Sequence, residues 1–524
     1  MKSTLDNVQH QFLVKMSELR TEHNRMIPFH RLPIELFARI ISTALKPLQN
    51  LRWNQSTYLR RLVILCEVCK QWRDVINGTA SLWAAIDILD PPALTSAAIS
   101  RTAGHPLDVI AAPSGPINVA SYLPDGLDEF TKTAMALSTR WRSIQIVVPS
   151  AEEALAIMNA HAPLLRSLEL KSTTTFRLNL KKGGTLFQGT GPQLRRLALH
   201  GVAIPWDSKL PPDLRYLSIS RLDPFSPSCE EILGIFRACS GLVELDLNLA
   251  EVATTTGRKN ETPVRMAELQ SLSLTLSTPC ALTLLETIRL PSVQSVSLDL
   301  YCGSDTGLPF PHMIKHVQAL FPVVFAAPYK LLITLLDRNA VSWTCKPSGG
   351  HRDGRDFAIT VRDTPARDTL QHLIKALLNR FPAEFVEINF DGPLNFDLSN
   401  ILWVFDRVYR IRNIMASSCN IDPLFRYMSD STTSGKWGLP ELQGIAVYDC
   451  HYSPLRLLSM IEARYEFDEE PESDASGGDE RKLPPPLKWL KISHAPGEAD
   501  EAIFGFVIDI IGPDCFEFHE NVER

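Results

Sequence analysis

One short arrangement of apolar residues returns along most of the chain: an apolar residue, two of any kind, a second apolar residue, one more, and a third. It occurs as Trp141-x-x-Ile144-x-Ile146, Leu165-x-x-Leu168-x-Leu170, Leu194-x-x-Leu197-x-Leu199, Leu214-x-x-Leu217-x-Ile219, Leu242-x-x-Leu245-x-Leu247, Leu269-x-x-Leu272-x-Leu274 and Val293-x-x-Val296-x-Leu298. Further copies start at Phe385, Leu442 and Leu487. Successive starts from 141 to 293 lie 20 to 29 residues apart. The fourth and sixth positions point the same way from a strand, so each copy predicts a short strand with one buried face. Amphipathic helical stretches precede several copies, at Ala154, Leu155 and Met158, at Ile232, Leu233 and Phe236, and at Leu370, Leu373, Ile374, Leu377 and Leu378. Pro163, Gly241 and Pro382 then break the chain. Helix, break and strand in rotation predict an α/β fold of parallel strands joined by right-handed crossovers, because no single unit can bury its apolar face alone. The interval from Val293 to Phe385 hides the period; Leu331 to Leu336 and Phe357 to Val361 are the segments that can supply strands there.

Ahead of this region the apolar period changes to that of helices. Leu5, Val8, Phe12, Met16 and Leu19 form one stripe, predicting a helix that packs on the segments after it. Pro33 suits the first turn of a helix, and Leu36, Phe37, Ile40, Ile41 and Ala44 follow at spacings of three and four. Leu62, Leu65, Cys66, Cys69 and Trp72 repeat that spacing. So many large apolar groups on a small helical unit exceed what it can bury, which marks a partner surface.

The run Leu32-Pro33-Ile34-Glu35-Leu36-Phe37-Ala38-Arg39-Ile40-Ile41, followed by Val68-Cys69-Lys70-Gln71-Trp72 and by Ser81-Leu82-Trp83, resembles the F-box, a three-helix module that docks on a Skp-family adaptor. The repeated strands resemble leucine-rich repeats by period and pattern. Together these features are similar to fungal-type F-box proteins with a C-terminal leucine-rich-repeat-like domain. The resemblance implies an N-terminal three-helix F-box at 28–90 behind an amphipathic helix at 1–27. It implies an irregular leucine-rich-repeat solenoid at 91–465 and a last repeat strand with a C-terminal helix at 487–524; between them, the abundance of Asp, Glu, Ser and Gly predicts an acidic disordered loop at 466–486, with Ser473 and Ser476 among the carboxylates. It further implies that Leu32, Pro33, Ile40, Ile41, Leu45, Val68 and Trp72 contact the adaptor, and through it a cullin-based (SCF-type) ubiquitin ligase. Two departures are visible. Lys46 to Tyr58 is long for the first connection of an F-box, and of the quoted repeats only the one with Cys450 carries Asn or Cys at the ninth position.

The function so implied is that of a substrate receptor, with the repeats binding a protein target; the alternative is a non-catalytic scaffold whose F-box-like helices act outside ubiquitination. Side chains flanking the buried pair of each strand lie on the opposite face. Carboxylates recur there at Glu169, Glu244, Asp246, Asp299, Glu387 and Asp391, which points to a target segment of net positive charge or, alternatively, to a solvated sheet face whose charges keep the protein soluble.

Composition narrows the rest. Of 524 residues, 45% are hydrophobic and 21% charged, ordinary for a globular chain, and a net charge of −6 gives no footprint for nucleic acid. Neither a leader nor an apolar run long enough for a bilayer is visible, so a cytoplasmic or nuclear protein without a membrane partner is expected. The ten cysteines then read as reduced thiols in a core. Cys66 and Cys69 fit a helical stripe better than a zinc site, and His312 and His316 lack the glutamate of a zinc protease. The glycines at 183, 184 and 191 lack the lysine of a phosphate loop. With no nucleophile elbow or dinucleotide fingerprint either, no catalytic residue, metal or cofactor is expected.

Overall fold

The computed structural model describes residues 2–45, 57–111, 126–178, 193–206, 210–249, 263–301, 315–317, 319–320, 329–337, 340–347, 356–362, 385–391, 411–429, 438–465, 486–493 and 501–518. It is mixed α/β, with most strand pairs parallel, and divides into two compact units: Met1–Ser226 with Arg237–Leu242, and Pro227–Phe236 with Val243–Arg524.

The first unit opens with helices α1 (Lys2–Met26), α2 (Ile34–Leu45), α3 (Tyr58–Cys66) and α4 (Lys70–Gly78). Strands β1 (Ala85–Asp87), β2 (Leu107–Ala111), β3 (Trp141–Val148), β4 (Ser167–Arg177), β5 (Arg196–Ala203) and β6 (Tyr216–Ser220) follow. Each pairs in parallel with the next, and α5 (Pro92–Arg101), α6 (Leu127–Ala136) and α7 (Ala151–Met158) lie between them in sequence. Register aligns the apolar positions across strands: Ile144 opposes Leu168, Leu168 opposes Leu197, and Leu197 opposes Leu217, each 1% exposed or less. Stacking like positions in this way buries what no single unit can cover.

The second unit contains α8 (Cys229–Ala238, apart from its last two residues), β7 (Glu244–Asn248), β8 (Val264–Arg265), β9 (Ser271–Ser277), α9 (Thr278–Thr287), β10 (Ile288–Arg289) and β11 (Ser295–Tyr301). Then come β12 (Tyr329–Asp337), β13 (Ala340–Pro347), β14 (Asp356–Arg362), β15 (Phe385–Asp391), β16 (Ile411–Ser417), α10 (Asp422–Ser429), β17 (Gly444–Tyr448), α11 (Pro454–Tyr465), β18 (Trp489–Ile492), α12 (Glu501–Ile511) and β19 (Phe516–Phe518). Its main sheet runs β7, β9, β11, β14, β13, β12, β15, β16, β17, β18, β19, and β8 pairs separately with β10. β9 shows the period-two logic: Leu272, Leu274 and Leu276 are buried, while Ser271, Ser273, Thr275 and Ser277 between them are half-buried.

The fourth and sixth positions of every quoted copy of the apolar pattern fall in a strand, and so do the two segments of the hidden interval. The differences have physical causes. β13 runs antiparallel to both β12 and β14, so the interval holds a meander and not a plain repeat. The stripe from Leu62 to Trp72 is not one helix: α3 stops at Cys66, Glu67 and Val68 turn, and Cys69 precedes α4 in an extended conformation. That reversal folds α4 back against α3. α1 does not bury its stripe, since Leu5, Val8, Phe12 and Leu19 are 59% exposed or more. Cys229 and Cys280 are joined as a disulfide with Cα atoms 6.1 Å apart, where thiols were expected; β1, β2, β8, β10, β13, β16 and β19 were not foreseen. The stretch from Leu370 to Leu378 and most of the acidic segment, with Ser473 and Ser476, lie outside the described residues.

A second periodicity sits at the eighth position of the pattern. Gly201, Arg221, Ser418 and Asp449 all take left-handed backbone, with φ of 73°, 56°, 54° and 48°. The last three come directly after β6, β16 and β17, where a left-handed residue ends the ladder and turns the chain. Non-glycine residues hold this conformation with backbone support: Ser418 N donates to Tyr448 O at 3.0 Å and Asp449 N to Ser493 Oγ at 3.2 Å. One residue on, Cys419 and Cys450 stack with sulfurs 3.7 Å apart, so a ninth-position cysteine also occurs in a repeat beginning at Ile411 that lacked enough leucines to be noticed.

Candidate functional site

The helices of the first unit sort their apolar side chains into two sets. In α2, Phe37, Ala38, Ile41 and Leu45 form the buried row, while Ile34 (58% exposed), Leu36 (48%) and Ile40 (44%) face away from it. The two rows run side by side because residues four apart share a helix face. α3 buries Leu59 and Leu62 and exposes Ile64, and Val68 in the turn after it is 57% exposed. α2, α3 and α4 pack on one another.

Trp72 is half-buried at the centre of an aromatic group. Its ring lies 5.1 Å from Phe37, edge to face, and 5.6 Å from Phe29, and Phe29 is 5.1 Å from Phe37. The indole N–H meets His30 Nε2 at 3.1 Å, and Gln71 Nε2 donates to the His30 carbonyl at 2.9 Å. These contacts hold the segment before α2 against α4. Phe29 and His30 escaped the sequence reading because they precede the periodic stretch; two aromatic residues just ahead of Leu32 and Pro33 were the available signal.

The seven expected adaptor-contact residues therefore divide. Pro33, Ile40 and Val68 are exposed, Leu32 and Trp72 are half-buried, and Ile41 and Leu45 belong to the core. Leu82 and Trp83, which close the motif, are also core, with the Trp83 indole donating to Ile76 O at 2.9 Å and Arg101 over its ring.

The module is tied to β1 through polar groups. Thr57 caps α3 by accepting from Arg60 N, and its hydroxyl donates to the Asp90 carboxylate. Arg60 Nη2 donates to Leu89 O at 2.8 Å. Asp87 accepts from Leu89 N at 2.9 Å, yet burial, with Asp90 nearby, pushes its carboxyl up to about 6. Burial also raises Asp90 and holds the Tyr58 hydroxyl up at about 12.

On the sheets, the carboxylates singled out by pattern are not alike. Glu169 accepts from Lys171 Nζ at 3.0 Å and from Gln145 Nε2 at 3.3 Å, and His200 Nε2 lies 4.0 Å away. Both oxygens of Asp299 lie within 3.0 Å of Arg362 Nε. Glu244 is exposed on β7 and Asp246 half-buried beside it. Glu387 and Asp391 take register positions in β15, opposite Asn413 and Ser417, and their side chains lie outside the described residues. Lys171 and Arg362 thus neutralise two of the six carboxylates of the acidic row, Glu169 and Asp299. The sequence reading missed Arg362 because β14 carries no full copy of the pattern.

Among the described residues, no group of three or more His, Cys, Asp or Glu is placed to hold a metal, and no helix is long and apolar enough to cross a membrane. His316 Nε2 lies 3.4 Å from Glu286 Oε1; His312 lies outside the described residues.

Fold and surface define a mixed α/β protein with a small helical module ahead of parallel strands. In comparison with known proteins, no family model matches the chain, and no curated protein matches it.

Proposed function

We propose that the chain is a substrate-receptor subunit of an SCF-type ubiquitin ligase, with α2–α4 as an F-box docking a Skp-family adaptor and the strands as an irregular leucine-rich-repeat domain holding a protein target. The observation that carries the reading is the set of large apolar side chains left in water on one short helical module: Ile34, Leu36, Ile40, Ile64 and Val68. Exposed apolar groups gathered on so small a unit fit a partner surface better than a folding role. The order of motifs around them, from Leu32-Pro33 through Trp72 to Leu82-Trp83, adds specificity. The parallel register of the Leu-x-x-Leu-x-Leu strands supports the repeat half.

The test is capture of a Skp-family adaptor by the full chain and by a Leu32→Ala/Pro33→Ala variant. The wild type retains the adaptor and the double variant loses it, since buried interface anchors contribute about 1–3 kcal/mol each. Equal capture by both removes the assignment. Adaptor capture without ubiquitin transfer to any co-purified protein in a reconstituted ligase leaves a scaffold in place of a receptor.

A further inference from the structure

The second position of the apolar pattern is arginine in four successive strand repeats of the first unit: Arg142, Arg166, Arg195 and Arg215. The next three repeats carry Val243, Gln270 and Gln294 there. The four arginines are direct cross-strand neighbours. Arg166 N donates to Arg142 O, Arg195 N to Arg166 O, and Arg215 N to Arg195 O, each at 2.8 Å. Adjacent members are therefore about 4.8 Å apart, the spacing of strands in a sheet.

Two of them, Arg142 and Arg215, have partners within the fold. Arg142 binds Asp108, with Nε to Oδ1 at 2.9 Å. Arg215 Nη1 donates to Gly241 O at 3.1 Å, a neutral acceptor. Arg166 and Arg195 are exposed and have no carboxylate within ion-pair distance among the described residues. Beside them Arg196 stacks on Tyr216, its guanidinium carbon 3.5 Å from the ring centroid. Stacking fixes the guanidinium plane and leaves its in-plane N–H donors for another group.

Like charges facing each other across strands are destabilising. Arg166 and Arg195 add no ion pair that offsets this repulsion, although the chain as a whole is acidic at −6. We infer that the leading edge of β3–β6 is a docking strip for an acidic peptide segment, whose carboxylate or phosphate groups the guanidinium forks bind. Nucleic acid fits less well: the aromatic face at the strip, Tyr216, is covered by Arg196, so no platform remains for stacking bases. This inference gives the target-binding half of the function proposed above an acidic partner, in place of the positively charged target that the sheet-face carboxylates suggested, and rests on that reading.

The experiment is fluorescence anisotropy on the full chain without adaptor, so that it reports separately from adaptor capture. The probes are labelled peptides of alternating Glu and Ser, of phosphoserine and Gly, and of Lys and Ser, and a single-stranded oligonucleotide. An anionic peptide binds and the lysine peptide does not; the stronger of the two anionic peptides identifies carboxylate or phosphate as the source. Arg166→Ser/Arg195→Ser weakens that binding about tenfold or more and steepens no other interaction, as loss of two charge-assisted contacts requires. Arg177→Ser/Arg221→Ser, which removes the same charge outside the strip, retains binding within about twofold. Thermal melts of both variants report an intact fold. Failure of both anionic peptides to bind, equal binding by wild type and strip variant, equal loss in both variants, or tighter binding of the oligonucleotide overturns the inference.

Discussion

Ile40 and Ile41 are chemically identical neighbours in α2, and the structure gives them opposite tasks. Ile41 is 2% exposed and Ile40 is 44% exposed. Ile41→Ala deletes buried methyl and methylene groups and leaves a cavity between α2 and its neighbours, which costs about 3 kcal/mol within the usual range of 2–5 for such truncations. For a unit of roughly 230 residues that lowers the melting temperature by about 6–12 °C. Ile40→Asp sits on the exposed row, where substitutions change stability by no more than about 0.5 kcal/mol. In the proposed adaptor complex, however, it places an unpaired carboxylate in an apolar contact, so that reading expects adaptor affinity to fall at least tenfold, about 1.4 kcal/mol. The assay pairs thermal unfolding of each variant with adaptor capture at matched concentration. A stable Ile40→Asp protein that binds adaptor like wild type refutes the assignment of the exposed row. An Ile41→Ala protein as stable as wild type refutes the packing argument itself.

The polar tie between the helical module and β1 makes stability depend on pH. An unfolded Asp87 titrates near 3.8, and the folded carboxyl is pushed up to about 6, so the native state holds its proton more tightly. Stability from this group is greatest at low pH, falls as pH rises from about 4 to 6, and is flat above. Asp87→Asn retains an acceptor for Leu89 N and is expected to gain about 1–2 kcal/mol at pH 7.5 while flattening that slope in urea titrations; a less stable variant at pH 7.5 rules this out. In the second unit, a β-carbon on Gly444 lands inside the indole of Trp489, its register partner on β18. Gly444→Ala therefore destabilises by about 1–3 kcal/mol, and adding Trp489→Ala recovers part of that loss in a double-mutant cycle; additive effects of the two substitutions contradict the clash.

What was legible in the sequence follows from what burial dictates. Leu168, Leu197, Leu217 and Leu272 each sit where a strand must present an apolar side chain inward, so the pattern located the strands before any geometry was known. The same logic fails where two rows of a helix are both apolar. Leu36 and Ile40 look like Phe37 and Ile41 in the sequence, and only packing against α3 and α4 decides which row is core. It fails again for partners distant along the chain. Lys171 lies two residues from Glu169 on one strand, whereas Arg362 reaches Asp299 across 63 residues through a β11–β14 pairing that the hidden interval conceals. The end of α3 at Cys66 was likewise invisible, because spacing alone continues smoothly into Trp72.

The repeat also explains why surface charge is set by its least conspicuous positions. Three positions in each copy are consumed by the core, and the eighth is constrained by the left-handed turn at Gly201, Arg221, Ser418 and Asp449. Those constraints hold neighbouring strands in register whatever occupies the second, third and fifth positions. A side chain placed there is repeated at the strand spacing without disturbing the core, so residues far apart in sequence become a continuous row. Arginine at the second position yields the row Arg142, Arg166, Arg195 and Arg215, while polar residues at the fifth yield Gln145 hydrogen-bonded to Glu169 and, beyond buried Ala198, Ser218. The core pattern thus sets the ruler, and the positions it leaves open determine which charges lie along it.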